Sequence, residues 1–205
     1  MSSDAVFWDR IAPKYAKQPI SNVPAYEATL ERVRSYLKPI DRVIEFGAGT
    51  GSTALLLAPH VSRYLATDLS SGMAAIAEEK RRAAGIDTLR IASGVVADFA
   101  AEDVTVALGF NLFHLVDDPE ADIARIHAML PKGGLFISKT PAIASKWYYR
   151  PLVRGMQLIG KAPGTVRFLS VDGVDRAIRA AGFEIVETGL YPPETPSRFV
   201  VARKP

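Results

Sequence analysis

Three glycines and two carboxylates in the first 68 residues have types and spacing suited to holding a small charged ligand. Gly47, Gly49 and Gly51 alternate directly after the apolar run 43–46, and an apolar helix is predicted from about Ser52. Glycine has no Cβ, so its backbone N–H groups can approach a ligand closely, and φ can be positive where a strand reverses into a helix. The segment therefore predicts a loop that binds its ligand through bare main chain.

Two acids flank this loop. Glu45 lies two residues before Gly47, and Asp68 follows Gly47 by 21 residues at the end of the strand pattern 63–68. A carboxylate beside the loop would repel a bound pyrophosphate but attract an ammonium or sulfonium group. An acid about 20 residues after such glycines commonly accepts hydrogen bonds from ribose hydroxyls. The acids therefore indicate a ligand that combines a cationic group with a ribose.

The dinucleotide fingerprint G-x-G-x-x-G is the nearest alternative interpretation of the loop. Counted from Gly47, its third glycine would occupy position 52, where the chain has Ser52. The fingerprint uses that glycine for close helix packing, with pyrophosphate at the helix N-terminus. This mismatch and the charge of Glu45 disfavour an NAD(P)-dependent Rossmann oxidoreductase, which stays an alternative. A non-catalytic cofactor-binding interaction module is a second alternative, because the sequence alone does not prove turnover.

The segment from Glu45 to Gly51, together with Asp68, resembles the first motif and the ribose-binding acid of class I S-adenosylmethionine-dependent methyltransferases. The resemblance extends over roughly residues 40–140. It implies that S-adenosyl-L-methionine is the cofactor, with Glu45 at its ammonium end and Asp68 on its ribose. Further cofactor contacts are implied along the glycine loop, after the second strand and around the next two strands: Gly47, Ala48, Gly49, Thr50, Gly51, Leu69, Met73, Val96, Asp98 and Phe110.

The chain departs from the family pattern in two places. Val95 stands where many members place an acid for the adenine amino group, so Asp98 substitutes for it, or backbone and apolar contacts alone hold the adenine. After the strand that ends at Phe110, members that methylate bases or amides often carry Asn-Pro-Pro-Tyr, whereas residues 111–114 are Asn-Leu-Phe-His. The missing prolines weigh against nucleic acid as a partner.

Two side chains are candidates for acting on the methyl acceptor. His114 resembles the loop histidine of small-molecule methyltransferases, including those of quinone and lipid metabolism, and histidine has the pKa to remove a proton from a hydroxyl or amine. Tyr15 fits the tyrosine that family members place near the methyl group. A histidine bonded to its own backbone and a tyrosine in the core are the simpler roles. The expected reaction is methyl transfer to oxygen or nitrogen of a small acceptor, with an apolar or lipid-like one favoured, and alignment alone can drive it.

Residues 139–167 contain six basic residues and no acid. If 145–160 is helical, Lys146, Arg150 and Arg154 form one stripe beside aromatic and apolar residues. Proline is tolerated in a first turn and disrupts the middle of a helix, so a helix that begins at Pro151 is the alternative. Such a stripe is typical of a helix that rests on an anionic membrane surface, here through residues 146–161. A lid over an apolar pocket, an entry route for an anionic substrate and a merely solvated face are the alternatives.

Alternating strand and helix patterns must position these groups. They predict an α/β fold with a doubly wound, mostly parallel seven-stranded sheet and helices on both faces, the Rossmann-like fold of the methyltransferases. Strands are expected over 43–46, 63–68, 88–91, 104–110, 135–138, 183–188 and 198–202. One methyltransferase domain is expected over 1–205, made of an N-terminal helical cap (1–39), a cofactor-binding core (40–140), a helical lid (141–170) and a C-terminal helix with a strand hairpin (171–205).

Composition narrows the class of protein. With 205 residues, 48% of them hydrophobic, the chain can bury one sizeable core. The absence of cysteine excludes disulfides, thiolate zinc sites and cysteine nucleophiles, and no metal site is predicted. No signal-peptide layout and no apolar run of about 18 residues are present, so a cytoplasmic protein is expected. A net charge of +3 tolerates an anionic partner without requiring one, and the oligomeric state is not indicated.

Overall fold

Strands and helices alternate through the middle of the chain, and the computed structural model describes residues 3–145, 147–192 and 197–205. The strands are β1 (Arg42–Phe46), β2 (Arg63–Asp68), β3 (Leu89–Ser93), β4 (Val106–Phe110), β5 (Leu135–Pro141), β6 (Glu184–Leu190) and β7 (Ser197–Arg203). The helices are α1 (Ser3–Tyr15), α2 (Val23–Arg34), α3 (Ser52–Leu57), α4 (Ser71–Ala84), α5 (Pro119–Met129), α6 (Tyr149–Leu158) and α7 (Val171–Ala180).

These strands form one sheet in the order β3-β2-β1-β4-β5-β7-β6. Neighbouring strands from β3 to β5 are parallel, whereas β7 runs antiparallel to both β5 and β6. The predicted doubly wound, mostly parallel seven-stranded sheet is therefore confirmed. Strand order reverses between β1 and β4, and open α/β sheets bind their ligands beyond the carboxyl ends of the strands at such a point.

Two apolar cores lie on opposite faces of the sheet, because alternate residues of a strand point to opposite sides. Ile44 of β1 belongs to the cluster that includes Ile126 of α5 and Ile178 of α7. Its neighbour Val43 belongs to the cluster that includes Val33 of α2. Since β1 is packed on both faces, the position of its carboxyl end, where the glycine loop begins, is fixed by both cores.

Helix α6 begins close to Pro151, the alternative start that the sequence offered, and not at residue 145. It covers Tyr149–Leu158, and Pro151 is its third residue. Proline is accommodated in a first turn but removes a hydrogen bond and clashes with the preceding turn further along a helix, so the helix begins close to it. Lys146, the first member of the predicted basic stripe, lies outside the described residues. Within the described residues, no helix combines the length and apolar character needed to cross a membrane.

Strand β5 is longer than predicted. It continues past Ser138 to Pro141, pairing with β7 as far as the partners Pro141 and Ser197. The apolar pattern stops at Ser138, but the antiparallel neighbour satisfies the hydrogen bonds of the following residues. The extension matters for the site, because Lys139 O accepts the backbone N–H of Asn111 at 2.7 Å and so fixes the start of the loop after β4.

Candidate functional site

The three glycines of the loop after β1 all adopt positive φ, at 68° for Gly47, 56° for Gly49 and 76° for Gly51. A Cβ on Gly47 would lie 2.8 Å from Leu112 Cδ1, and a Cβ on Gly51 would lie 2.9 Å from Ala77 Cβ. Both distances are too short for a real side chain, so these two glycines are required by packing against the loop after β4 and against α4. The outer glycines therefore hold the loop in place.

The central glycine has a different role, because it faces open space beside one aromatic ring. A Cβ on Gly49 would have one neighbour within 4 Å, Tyr15 Cε1 at 3.8 Å. Tyr15 is the last residue of α1, is 45% exposed and packs edge to face against Trp8. The structure thus brings Tyr15 from the N-terminal helix over the glycine loop. The main chain at Gly49 therefore lies directly beside the Tyr15 ring with no side chain of its own in between, which fits the predicted binding of a cofactor at this loop.

Asp68, at the end of β2, is aimed at the same loop. Its Oδ2 accepts the N–H of Gly49 at 2.8 Å and its Oδ1 accepts the N–H of Ser70 at 2.9 Å. Burial raises the pKa of the Asp68 carboxyl, although both N–H groups act in the opposite direction. The carboxylate therefore joins the glycine loop to the turn between β2 and α4. Its predicted contact with a ribose stays a prediction.

Glu45 lies in the interior instead of on the wall of the cleft. The residue is 2% exposed, and its Oε2 accepts the hydroxyl of Tyr64 at 2.7 Å. Burial raises the pKa of Glu45 to about 7, and the nearby charge of Asp68 adds to the effect. Near neutral pH this carboxyl is poised between its two protonation states, so a cationic ligand nearby would favour the charged one. Direct contact with a cofactor ammonium group stays a prediction.

His114 lies in the loop after β4 with part of its ring enclosed by protein. Within the described residues, its Nδ1 is buried and has no hydrogen-bond partner. Burial lowers the pKa of His114 to about 4, so the imidazole is neutral at pH 7. The backbone oxygen of His114 accepts the N–H of Arg167 at 2.7 Å, which holds the loop against the segment before α7. An unpartnered polar atom in this loop is consistent with the predicted role, which no observation yet tests.

The remaining predicted cofactor contacts lie in the glycine loop and just after β2. Thr50 is 5% exposed, and both its hydroxyl and its backbone oxygen accept hydrogen bonds from Lys80 Nζ, at 3.0 and 3.2 Å. Ala48 packs against the core under α2 and α3. After β2, Leu69 is 37% exposed whereas Met73 is 2% exposed. Leu69 thus offers a surface for an adenine ring, and Met73 lies deeper.

The residues predicted to contact the cofactor after β3 and β4 make contacts within the protein. Val96 is buried in the core on the α5 and α7 face, so a cofactor contact would have to use its backbone. Asp98 is exposed, and its Oδ2 accepts the backbone N–H of Val95 at 2.8 Å. Asp98 therefore caps its own turn in this structure, and its substitution for the family's adenine-binding acid stays a prediction. Phe110 ends β4, partly buried, beside Asn111 with its φ of 55°.

Sequence analysis missed Asp9, which docks α1 on the site. Its Oδ1 accepts hydrogen bonds from Ser70 Oγ at 2.6 Å and from Gly72 N at 2.9 Å. These donors lower the pKa of Asp9. Ser70 Oγ in turn accepts the N–H of Met73 at 3.0 Å and caps α4. The partners are 61 and 63 residues apart in the chain, so no local pattern could have revealed the contact.

A second missed feature is the segment 160–167, which links α1 to the His114 loop. Asp4 of α1 accepts the backbone N–H groups of Gly164 at 2.7 Å and Thr165 at 3.2 Å. The hydroxyl of Thr165 donates to Asp117 Oδ1 at 2.9 Å. On the same side, Arg10 donates to Gly160 O at 2.6 Å. Helix α1, this segment and the loop after β4 therefore form one hydrogen-bonded rim around the carboxyl end of the sheet.

Comparison with known proteins decides the family. The sequence profile of a family described as a methyltransferase domain matches residues 15–188, a span that runs from Tyr15 through the glycine loop to β6. The chain belongs to this family. The cofactor predicted for this methyltransferase domain, S-adenosylmethionine, is confirmed with it, and the resemblance to class I S-adenosylmethionine-dependent methyltransferases is confirmed as well. No match was found among curated proteins.

Solved structures share the fold of this methyltransferase domain at low sequence identity. A possible histamine N-methyltransferase from Thermotoga maritima is 23% identical, with a TM-score of 0.71 over 98% of this chain and 99% of that one. The complex of DhpI with S-adenosylhomocysteine (SAH) is 19% identical, with a TM-score of 0.75 over 98% and 95%. The [4+2]-cyclase SpnF is 16% identical, with a TM-score of 0.77 over 100% and 96%. The cyclase indicates that the fold alone does not determine the reaction.

Proposed function

We propose that this methyltransferase domain moves the methyl group of S-adenosyl-L-methionine to the oxygen or nitrogen of a small apolar or lipid-like acceptor by direct in-line displacement. The observation that carries the proposal is Gly49, whose missing Cβ would have Tyr15 Cε1 as its one neighbour within 4 Å, so the ring of α1 covers the main chain of the glycine loop. When bound, the cofactor supplies a methyl group already activated by its sulfonium sulfur. The chain therefore has mainly to bind the cofactor and the acceptor, align them and exclude water, because the methyl group needs no further activation.

On the cofactor side, the carboxylate of Asp68 is held in one orientation by the N–H groups of Gly49 and Ser70. A carboxylate oxygen has two lone-pair positions, so each Asp68 oxygen keeps one for a ribose hydroxyl. Glu45 supports binding of the ammonium end by electrostatic attraction when it is ionised. Its pKa of about 7 means that a cation nearby changes its charge at neutral pH.

On the acceptor side, Tyr15 ends α1 and His114 lies in the loop after β4, which are two of the three parts of the rim. The neutral His114 ring has an unpartnered Nδ1 within the described residues, and it is the candidate to take the proton that an acceptor hydroxyl or amine loses. A base with a pKa of about 4 binds that proton weakly at pH 7. Alignment of the acceptor under Tyr15 therefore provides most of the acceleration, and His114 assists.

An apolar or lipid-like acceptor is favoured by what borders the rim. Segment 160–167 is hydrogen-bonded to α1, and the residues directly before it, Leu158 and Ile159, are 90% and 64% exposed. Apolar side chains at the margin of a cleft lower the free energy of an amphiphile that enters there. The loop sequence after β4 also lacks the prolines of the base-methylating enzymes, which disfavours nucleic acid.

The cofactor part of the proposal is tested by titration calorimetry with S-adenosylhomocysteine and, separately, with NADH. Wild-type protein is expected to bind the former alone, and Asp68→Ala is expected to weaken binding by at least about tenfold, equal to roughly 1.4 kcal/mol. Asp103→Ala is the matched control, because Asp103 is an exposed acid whose ion pair with Arg42 lies away from the loop. Tight binding of NADH with no binding of S-adenosylhomocysteine would overturn the proposal.

The acceptor part is tested by transfer of a radiolabelled methyl group to a panel of quinols, fatty acids, phenols, amines and oligonucleotides. Transfer to an apolar hydroxyl or amine is expected, with kcat lowered more than KM in both Tyr15→Phe and His114→Gln. Transfer to oligonucleotides alone would overturn the acceptor class. Cofactor binding with no transfer to any member of the panel would favour the interaction module instead.

A further inference from the structure

Helix α6 and its flanks carry an apolar surface that nothing in the described chain covers. No residue of Tyr149–Leu158 is buried. The exposed fraction is 79% for Trp147, 53% for Leu152, 90% for Leu158 and 64% for Ile159. A soluble protein normally keeps such side chains scattered, whereas these lie within 13 consecutive residues.

The inner face of α6 is identified by its contacts. Tyr149, Val153 and Gln157 recur at every fourth position and are only partly exposed. The side-chain amide of Gln157 donates to Pro163 O at 2.9 Å and to Gly164 O at 2.8 Å, which ties this face to the segment that follows. Leu152 and Leu158 therefore project from the outer part of the helix surface.

The same outer surface carries only positive charge. Arg150, Arg154 and Lys161 are exposed, and no acidic residue occurs anywhere in 139–167. The Arg150 guanidinium lies 4.9 Å from the centre of the Phe168 ring, whereas no ion pair involves Arg154 or Lys161 among the described residues. Cations that flank exposed apolar and aromatic side chains match the boundary between anionic headgroups and acyl chains.

We propose that residues 147–161 dock this protein on an anionic lipid surface, with Leu152, Leu158 and Ile159 entering the acyl boundary and Arg154 and Lys161 among the headgroups. Trp147 lies at the headgroup level, where the amphipathic indole is favoured. A second copy of the chain fits the surface less well, because a two-fold contact would bring together two copies of a patch that carries cations and, within 139–167, no acid. The proposal goes beyond methyl transfer and does not depend on it.

The test is co-sedimentation of the full chain with vesicles of phosphatidylcholine containing one quarter phosphatidylglycerol, compared with pure phosphatidylcholine vesicles. Binding to the anionic vesicles is expected to be at least about tenfold tighter, and Arg154→Glu combined with Lys161→Glu is expected to remove most of that difference. The matched control is Arg90→Glu with Lys132→Glu, two exposed bases outside the surface. Equal binding by the two double variants would overturn the proposal.

The apolar contribution is tested separately. Leu158→Glu with Ile159→Glu is expected to weaken vesicle binding by at least about tenfold, whereas Ile40→Glu, at an apolar residue that is 76% exposed elsewhere, leaves it unchanged. In a Trp8→Phe background, the remaining Trp147 is expected to show blue-shifted fluorescence on anionic vesicles. Unchanged Trp147 emission, or a dimer that dissociates in Leu158→Glu with Ile159→Glu while vesicle binding is absent, would overturn the lipid assignment. Thermal melting of each variant verifies that it is folded.

Discussion

The carboxylate of Asp9 accepts a hydrogen bond from Ser70 Oγ at 2.6 Å, which fastens α1 to the turn that follows Asp68. Because α1 also ends in Tyr15 over Gly49, one helix both covers the glycine loop and is fastened at the N-terminus of α4. A cofactor bound at the glycine loop, as proposed above, would require α1 to move away from Gly49. The strength of the Asp9 contact should set how readily that motion occurs.

Asp9→Ala is expected to loosen α1 and weaken cofactor binding. Loss of a charged acceptor for two donors at a helix N-terminus removes about 1 kcal/mol of local stabilisation. S-adenosylhomocysteine affinity should fall by roughly fivefold to tenfold, and trypsin should cleave after Arg10 and Lys14 faster than in wild type. Asp9→Asn keeps one acceptor oxygen, so its affinity and its cleavage rate should lie between those of wild type and of Asp9→Ala. Unchanged affinity with faster cleavage would show that α1 does not contribute to cofactor binding.

Gly49→Ala is expected to weaken cofactor binding without a matching loss of stability. The residue has φ of 56°, so an added Cβ strains the backbone by about 1–2 kcal/mol. Gly85→Ala is the matched control, because Gly85 has φ of 62° and open space around its missing Cβ. Both variants should lose similar stability in urea unfolding. Only Gly49→Ala should lose at least about tenfold in affinity for S-adenosylhomocysteine by calorimetry, and equal affinities in the two variants would contradict the placement of the cleft.

Glu45 is expected to make the protein less stable as the pH rises. Its folded pKa of about 7 lies above its ordinary value of 4.5, so between these values the unfolded chain ionises while the folded one stays protonated. The resulting loss of unfolding free energy is complete above about pH 7 and is on the order of 3 kcal/mol. Glu45→Gln, which can still accept from Tyr64, should be more stable than wild type at pH 8. The difference should vanish near pH 4, and a constant difference in urea unfolding across this range would rule out the explanation.

The same carboxyl should release a proton when a cation binds. At pH 7 about half of the free protein carries the Glu45 proton, so S-adenosylhomocysteine, which carries an ammonium group, should displace up to roughly half a proton. Calorimetry in two buffers of different ionisation enthalpy measures this release. Glu45→Gln is the control, and it should bind with no comparable release.

His114 should have the opposite effect to Glu45, so that its contribution to stability falls as the pH is lowered. Its folded pKa of about 4 lies below its ordinary value of 6.5, so acid protonates the unfolded chain first. Stability from this residue is present above about pH 6.5 and is lost as the pH falls towards 4, by up to about 3 kcal/mol. His114→Gln should therefore lose less stability than wild type between pH 7 and pH 4.5. Parallel pH profiles in urea unfolding would mean that the ring is not buried as described.

Local patterns in the sequence were sufficient to predict that the strands of the sheet exist and roughly where they lie. Strand β2 has the predicted bounds 63–68, because its apolar pattern is a local feature. The start of α6 was among the alternatives, because the proline at position 151 is a local signal. The length of β5 was not predictable in this way, because it depends on pairing with β7.

By itself the sequence determined the glycine loop, the acid at the end of β2 and the class of ligand, because Gly47, Gly49, Gly51 and Asp68 are spaced within two successive strands and the helix that joins them. Only the tertiary structure decided that Asp68 bonds to Gly49, that Glu45 is buried with Tyr64, and that Asp9 holds α1 over the cleft. These contacts join residues 19 to 61 positions apart; burial raises the pKa of Glu45 and of Asp68, whereas the Ser70 and Gly72 donors lower the pKa of Asp9. Chain folding brings such groups together and removes their water, and neither event is encoded in a local pattern.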